Sequence, residues 1–97
     1  MKSYRLSRQA SYDVLDIWTH IGKDSPSAAD RLIDELHAKF QQLADGVMSG
    51  ERFIVPQKPE ARRITHGNYV IYHHRVGRVT EILRVVHGAK LFEGLDD

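Results

Sequence analysis

Cysteine is absent from the 97 residues, which excludes disulfides, thiolate-bound zinc and a cysteine nucleophile. Long apolar runs are missing as well. Nothing approaches the ~20 residues that a membrane-spanning helix needs. The opening Met1-Lys2-Ser3-Tyr4-Arg5 has none of the apolar core of a secretory leader, so a cytoplasmic protein is expected. Proline occurs three times, and neither a repeat nor a low-complexity tract breaks the chain. One domain over 1–97 is therefore expected. Acid is scarce in one place. Between residues 61 and 90 Glu81 is the only Asp or Glu, against six Lys/Arg and four His. Residues 1–45 carry six Lys/Arg and seven Asp/Glu. The formal net charge of +1 thus conceals a neutral-to-acidic front and a basic back, a pattern suited to an anionic partner.

Periodicity divides the chain further. Lys2 to Leu6 alternates as a short strand, and Ser7 offers an N-cap hydroxyl. Ala10, Val14, Ile17 and Ile21 then recur at helical spacing, with Leu15 and Trp18 widening the stripe. A helix over about Arg8–Ile21 follows, with Gly22 suited to a left-handed C-cap. Pro26 fits the first helical position after a Ser25 cap, while Ser27 and Asp30 offer a competing capping box. Ala29, Leu32, Ile33, Leu36, Phe40 and Leu43 form the apolar face of a second helix reaching about Ala44. The short link between the two predicts an antiparallel helical hairpin.

Gly46 to Pro59 has no sustained period and reads as a connection, with Phe53-Ile54-Val55 tucking onto the core or pairing briefly. Strands are predicted over Ala61–Thr65, Tyr69–Arg75 and Val79–His87, joined by turns at His66-Gly67-Asn68 and Gly77-Arg78. Simple alternation puts Leu83 and Val85 on one face of the last strand and Ile82, Arg84 and Val86 on the other. Both faces are largely apolar, which implies a central or doubly covered strand. Arg84 then needs a path to solvent or a partner, whether buried carbonyls, Glu81 or an acid from the helices. The fold class is α+β in the order β-α-α-β-β-β, a helical hairpin packed on a mostly antiparallel sheet.

Particular residues carry a resemblance. Tyr4-Arg5-Leu6-Ser7 with Ala10, Asp16-Ile17-Trp18, the Ala29–Phe40 helix, and Arg63 followed by Gly67-Asn68-Tyr69-Val70-Ile71-Tyr72 together resemble the RelE/ParE superfamily of bacterial toxins. Ile82-Leu83-Arg84-Val85-Val86-His87-Gly88-Ala89-Lys90 is similar to the final strand of the ParE branch, which usually reads Ile-Leu-Arg-Val-Leu-His-Gly-Ala-Arg-Asp. Lys90 and Leu91 depart from that closing pair, and Gly46–Arg52 lacks the family's usual Pro before its Gly-Arg step. The resemblance implies the toxin of a type II toxin–antitoxin pair, with a cognate antitoxin whose C-terminal segment folds on the toxin. The ParE branch inhibits DNA gyrase, whereas the RelE branch cleaves mRNA in the ribosomal A site. On the ParE reading, nucleic acid is met only through the antitoxin or gyrase, and neither cofactor nor membrane is involved.

Chemistry weighs on the same choice. A ribonuclease must activate a 2′-OH, hold the crowded phosphate and protonate the leaving oxygen. The RelE-type enzymes use basic residues on the sheet and a Tyr, His or Glu near the C-terminus. After His87 this chain has neither Tyr nor His, only Phe92 and the acids Glu93, Asp96 and Asp97. No catalytic residue is therefore expected on the favoured reading. A ribonuclease would have to use Arg63, Arg84, His87 and Lys90. A third possibility is a non-toxic antitoxin-binding co-repressor.

Residues expected to meet target or antitoxin are Arg62, Arg63, Arg75, Arg78, Arg84, His87 and Lys90. An antitoxin groove is expected around Trp18, Leu36 and Phe40, although helical spacing assigns Trp18, Tyr12 and Phe40 mainly to the core. His73 and His74 are neighbours in a strand, so their side chains leave opposite faces and cannot share an ion. No metal is expected.

Overall fold

The computed structural model describes residues 3–52 and 61–88. Strand β1 (Ser3–Leu6) leads into helices α1 (Arg8–Gly22) and α2 (Pro26–Asp45), followed by β2 (Glu51–Arg52), β3 (Arg62–His66), β4 (Tyr69–Val76) and β5 (Val79–His87). The strands form one sheet in the order β1-β5-β4-β3-β2. β1 runs parallel to β5, and the other pairs are antiparallel. The expected order β-α-α-β-β-β holds, with the two-residue β2 added at the far edge. Phe53-Ile54-Val55, the segment expected to tuck or pair, lies outside the described residues, as do Lys90 and Leu91.

The helix ends follow local chemistry. Ser7 Oγ accepts from the Ala10 amide at 3.0 Å, and Ser25 Oγ accepts from Ala28 at 3.2 Å with Pro26 in the first turn. The competing Ser27/Asp30 box does not form, because Asp30 instead accepts from the Trp18 indole at 2.9 Å. Gly22 is the last residue of α1 and does not adopt a left-handed cap; the helix closes through Ile21, whose carbonyl accepts from Asp24 and Ser25. Gly46 supplies the left-handed cap of α2, with φ 80°.

Gly50 matters more. At φ +70°, a Cβ there would stand 2.4 Å from the Arg63 carbonyl oxygen and 2.5 Å from Ile64 Cγ2. Backbone strain and a clash against β3 coincide, so Gly50→Ala should cost about 2 kcal/mol. Urea unfolding checks this, and an unchanged midpoint would contradict it.

Both helices cover one face of the sheet. Ala10 and Ile17 from α1, Leu36, Phe40 and Leu43 from α2, and Ile71, Ile82 and Val85 from the sheet make the main core. Ala61, Val70, Tyr72, Leu83 and Val86 form a second buried cluster on the other face. β5 lies between β1 and β4, the central and doubly apolar strand expected from its sequence. Its faces are not as simple alternation predicts. Tyr72 pairs with Arg84 but His73 pairs with Ile82, leaving Leu83 as an extra residue. This bulge resets the alternation. Ile82 and Val85 therefore face the helices together, while Leu83 and Val86 face away.

Candidate functional site

β1 stops at Leu6 while β5 continues to His87, so the last residues of β5 have lost their neighbouring strand. Unpaired edge amides and carbonyls are costly when buried. The segment entering α1 takes their place. The Ser7 amide donates to the Ile82 carbonyl at 2.9 Å, and Ser7 Oγ donates to the Leu83 carbonyl at 2.8 Å. One turn further, Asp13 Oδ2 accepts from the Val85 amide at 2.9 Å. The same carboxylate receives Arg84 through Nε at 2.7 Å and Nη2 at 3.0 Å. The acid that Arg84 requires is Asp13 of α1, not Glu81.

Glu81 has its own partners. It accepts from Arg5 of β1 at 3.2 Å and meets His74 of β4 at 2.7 Å. The His74 hydrogen bond first, and then Arg5, lower its pKa against the opposing effect of burial. The single acid of the basic block is thus held between bases from both adjacent strands.

Among the described residues, the predicted cationic side chains do not form one patch. Arg63 meets Glu51 at 2.6 Å and also interacts with Tyr72. Arg62 donates to the Gly50 carbonyl at 3.3 Å. It converges with Arg75 on a cavity at the end of the sheet, beside the C-terminus of α2. Arg78 is exposed in the β4–β5 turn. His87 packs edge-on against Tyr69 at a centroid distance of 5.7 Å.

His73 also lines the Arg62–Arg75 cavity and is buried, at 5% exposure. Burial first, then the charges of Arg62 and His74, lower its pKa from 6.5 to about 4. Between those values the unfolded chain binds the proton more readily, so stability rises with pH and falls on acidification toward 4. The slope is at most about 1.4 kcal/mol per pH unit. Replacing His73 with Phe should flatten this limb in urea unfolding at stepped pH, and an unaltered slope would exclude His73 as its source.

α1 presents the remaining feature. Tyr12, Leu15 and Trp18 are 61%, 56% and 43% exposed. At about 100° per residue they fall on the flank and back of the helix, away from Ala10, Val14, Ile17 and Ile21. Tyr12 and Trp18 are therefore not core residues, as helical spacing had suggested. Leu36 and Phe40 are fully buried under the sheet-facing side of α2. They line no open groove. Among the described residues the exposed large apolar side chains are this α1 stripe together with Val47 and Val76, and of the expected groove residues Trp18 alone is one of them.

Comparison with known proteins decides the family. Residues 4–92 match the ParE toxin of the type II toxin–antitoxin system, parDE. This chain belongs to the ParE toxin family. It is 37% identical over 92 residues to Toxin ParE1 of Caulobacter vibrioides, the match covering 90% of each. A solved structure titled "Chromosomal ParDE TA system from P. aeruginosa" shares the fold with a TM-score of 0.73 at 21% identity. That match covers 90% of this chain and 96% of the other.

Within this ParE-type toxin, Arg84 and His87 of the four residues a ribonuclease would need line one pocket with Asp13 and His20, and Arg63 stands apart from it. Arg63 pairs with Tyr72, whose side chain lies on the face away from the helices. His87 pairs with Tyr69, which packs against the helix-side core. Arg63 and His87 thus project from opposite faces of the sheet. Arg84 is engaged at the edge by Asp13, and Lys90 is outside the described residues. Among the described residues no helix is long and apolar enough to cross a membrane. Sequence reading missed Asp13, His73 and Thr80. The alternation of His73 with Arg75 along β4 was a signal for the second; Asp13 had no signal beyond its charge.

Proposed function

We propose that this ParE-family toxin inhibits growth by binding DNA gyrase, cuts no nucleic acid itself, and is neutralised by a cognate antitoxin. Family membership supports the target, since gyrase inhibition is the activity implied by the ParE resemblance. The observation that carries the non-enzymatic part is the separation of Arg63 and His87 to opposite faces, with Arg63 and Arg84 bound to Glu51 and Asp13. A phosphate in its transition state needs converging, preorganised donors. Antitoxin binding is supported by the ParDE relationship and by the apolar α1 stripe, which an amphipathic segment would cover.

Expression without antitoxin, combined with mapping of mRNA 5′ ends, separates the readings. Growth arrest with DNA damage and no new codon-positioned ends is expected. Such ends, appearing with arrest, would establish the ribonuclease instead. Normal growth with soluble, folded protein would indicate an antitoxin-binding co-repressor.

A further inference from the structure

The cavity beside the C-terminus of α2 has a volume of about 190 Å³ and is lined by Arg62, His73, Arg75 and Thr80, with Gly46 and Ser49 opposite. His73 Nε2 and Thr80 Oγ1 are both buried without a hydrogen-bond partner, in residues only 5% and 2% exposed. A native protein seldom leaves two such atoms unsatisfied, since each costs about 1–3 kcal/mol. Their arrangement follows from the sheet. Arg62 is the register partner of His73, and Arg75 is the partner of Thr80. Two adjacent cross-strand pairs thus present two guanidiniums, an imidazole and a hydroxyl to one space.

We propose that this cavity is an oxyanion-binding site of phosphate type, recognised by Arg62, Arg75, His73 and Thr80. Among the described residues no carboxylate lines the cavity, so none of them neutralises the cations from within. The nearest acid of the block, Glu81, is occupied by Arg5 and His74. Two guanidinium forks with a hydroxyl and an imidazole carry more N–H and O–H groups than the about four lone-pair sites of a carboxylate accept, and they suit a tetrahedral oxyanion. The C-terminal carbonyls of α2 oppose an anion with about half a unit charge. The Gly46 amide already caps Gln42 and Leu43 there, and two full guanidinium charges outweigh the remainder. Burial first, and then the same positive surroundings, depress the His73 pKa, and a bound anion would offset the second cause.

Inorganic phosphate titrated into the purified protein, with chloride at matched ionic strength as control, tests the site. A saturable rise in Tm and saturable NMR shifts of the His73 ring are expected with phosphate and not with chloride. Arg75→Gln, at an exposed position, should keep the fold and bind phosphate at least about tenfold more weakly, the loss of one charge-assisted contact. Thr80→Val should weaken binding in the same direction. A parallel titration with AMP distinguishes sources: binding of both ligands assigns the site to a phosphate monoester end, and binding of phosphate alone assigns it to the free ion. Absence of a saturable response, or a response unchanged in Arg75→Gln and Thr80→Val, would overturn the proposal and leave a solvent-filled cavity. Binding of AMP without phosphate would overturn it too, since recognition would then lie in the nucleoside.

Discussion

Replacing Arg84 with Ala should lower the unfolding free energy by about 3 kcal/mol, the lower end of what breaking a buried ion pair costs. The side chains of Arg84 and Asp13 are only 18% and 13% exposed, so Asp13 left alone would be a poorly solvated charge. Asp13→Ala should do similar damage by a second route, because it also strips the Val85 amide of its acceptor. The two losses overlap. A double-mutant cycle should therefore return a coupling of about 1.5–3 kcal/mol, far above the value for an exposed pair. Arg84→Lys should recover only part, since an ammonium cannot make the two-pronged contact. Chemical unfolding of the four proteins gives the cycle. Additive losses would contradict an edge clamp, and lost toxicity at unchanged stability would return Arg84 to the functional surface.

Trp18→Ala should weaken antitoxin binding by about 2–4 kcal/mol, the range of an aromatic hot spot. Leu15→Glu should do at least as much by placing a charge in an apolar contact. Neither change should greatly disturb folding, because both side chains are substantially exposed, at 43% and 56%; Trp18 gives up one exposed hydrogen bond to Asp30. Leu36→Ala makes the control: it empties a fully buried position and should lower stability by about 2–5 kcal/mol. Calorimetric titration with the cognate antitoxin measures the first effect. Unchanged affinity in both Trp18→Ala and Leu15→Glu would remove the α1 stripe from the interface.

The contrast between Trp18 and Phe40 shows where sequence reasoning succeeds. Helical spacing located both helices within a residue or two because apolar period and caps act locally, as at Ser7 and Ser25. It could not say which flank of α1 receives α2, so Trp18 and Tyr12 passed for core. β5 posed a similar limit. Its apolar character on both faces was legible, but a bulge depends on how two strands meet, and Leu83 gives no local sign of being the extra residue. Arg84 needed a partner or a path to solvent by elementary electrostatics, yet choosing Asp13 required knowing that β1 ends before β5 does. The cavity of Arg62, His73, Arg75 and Thr80 is likewise a product of register. Each residue was visible in the sequence, and only the pairing of β3, β4 and β5 assembles them.

Gyrase itself offers the most direct test. Purified toxin incubated with DNA gyrase and supercoiled or relaxed plasmid should block supercoiling and trap cleaved DNA, and prior addition of cognate antitoxin should abolish the effect. Antitoxin protection should fail for Trp18→Ala at concentrations that protect the parent. Gyrase supercoiling and cleavage left untouched by a large excess of folded toxin would contradict the account.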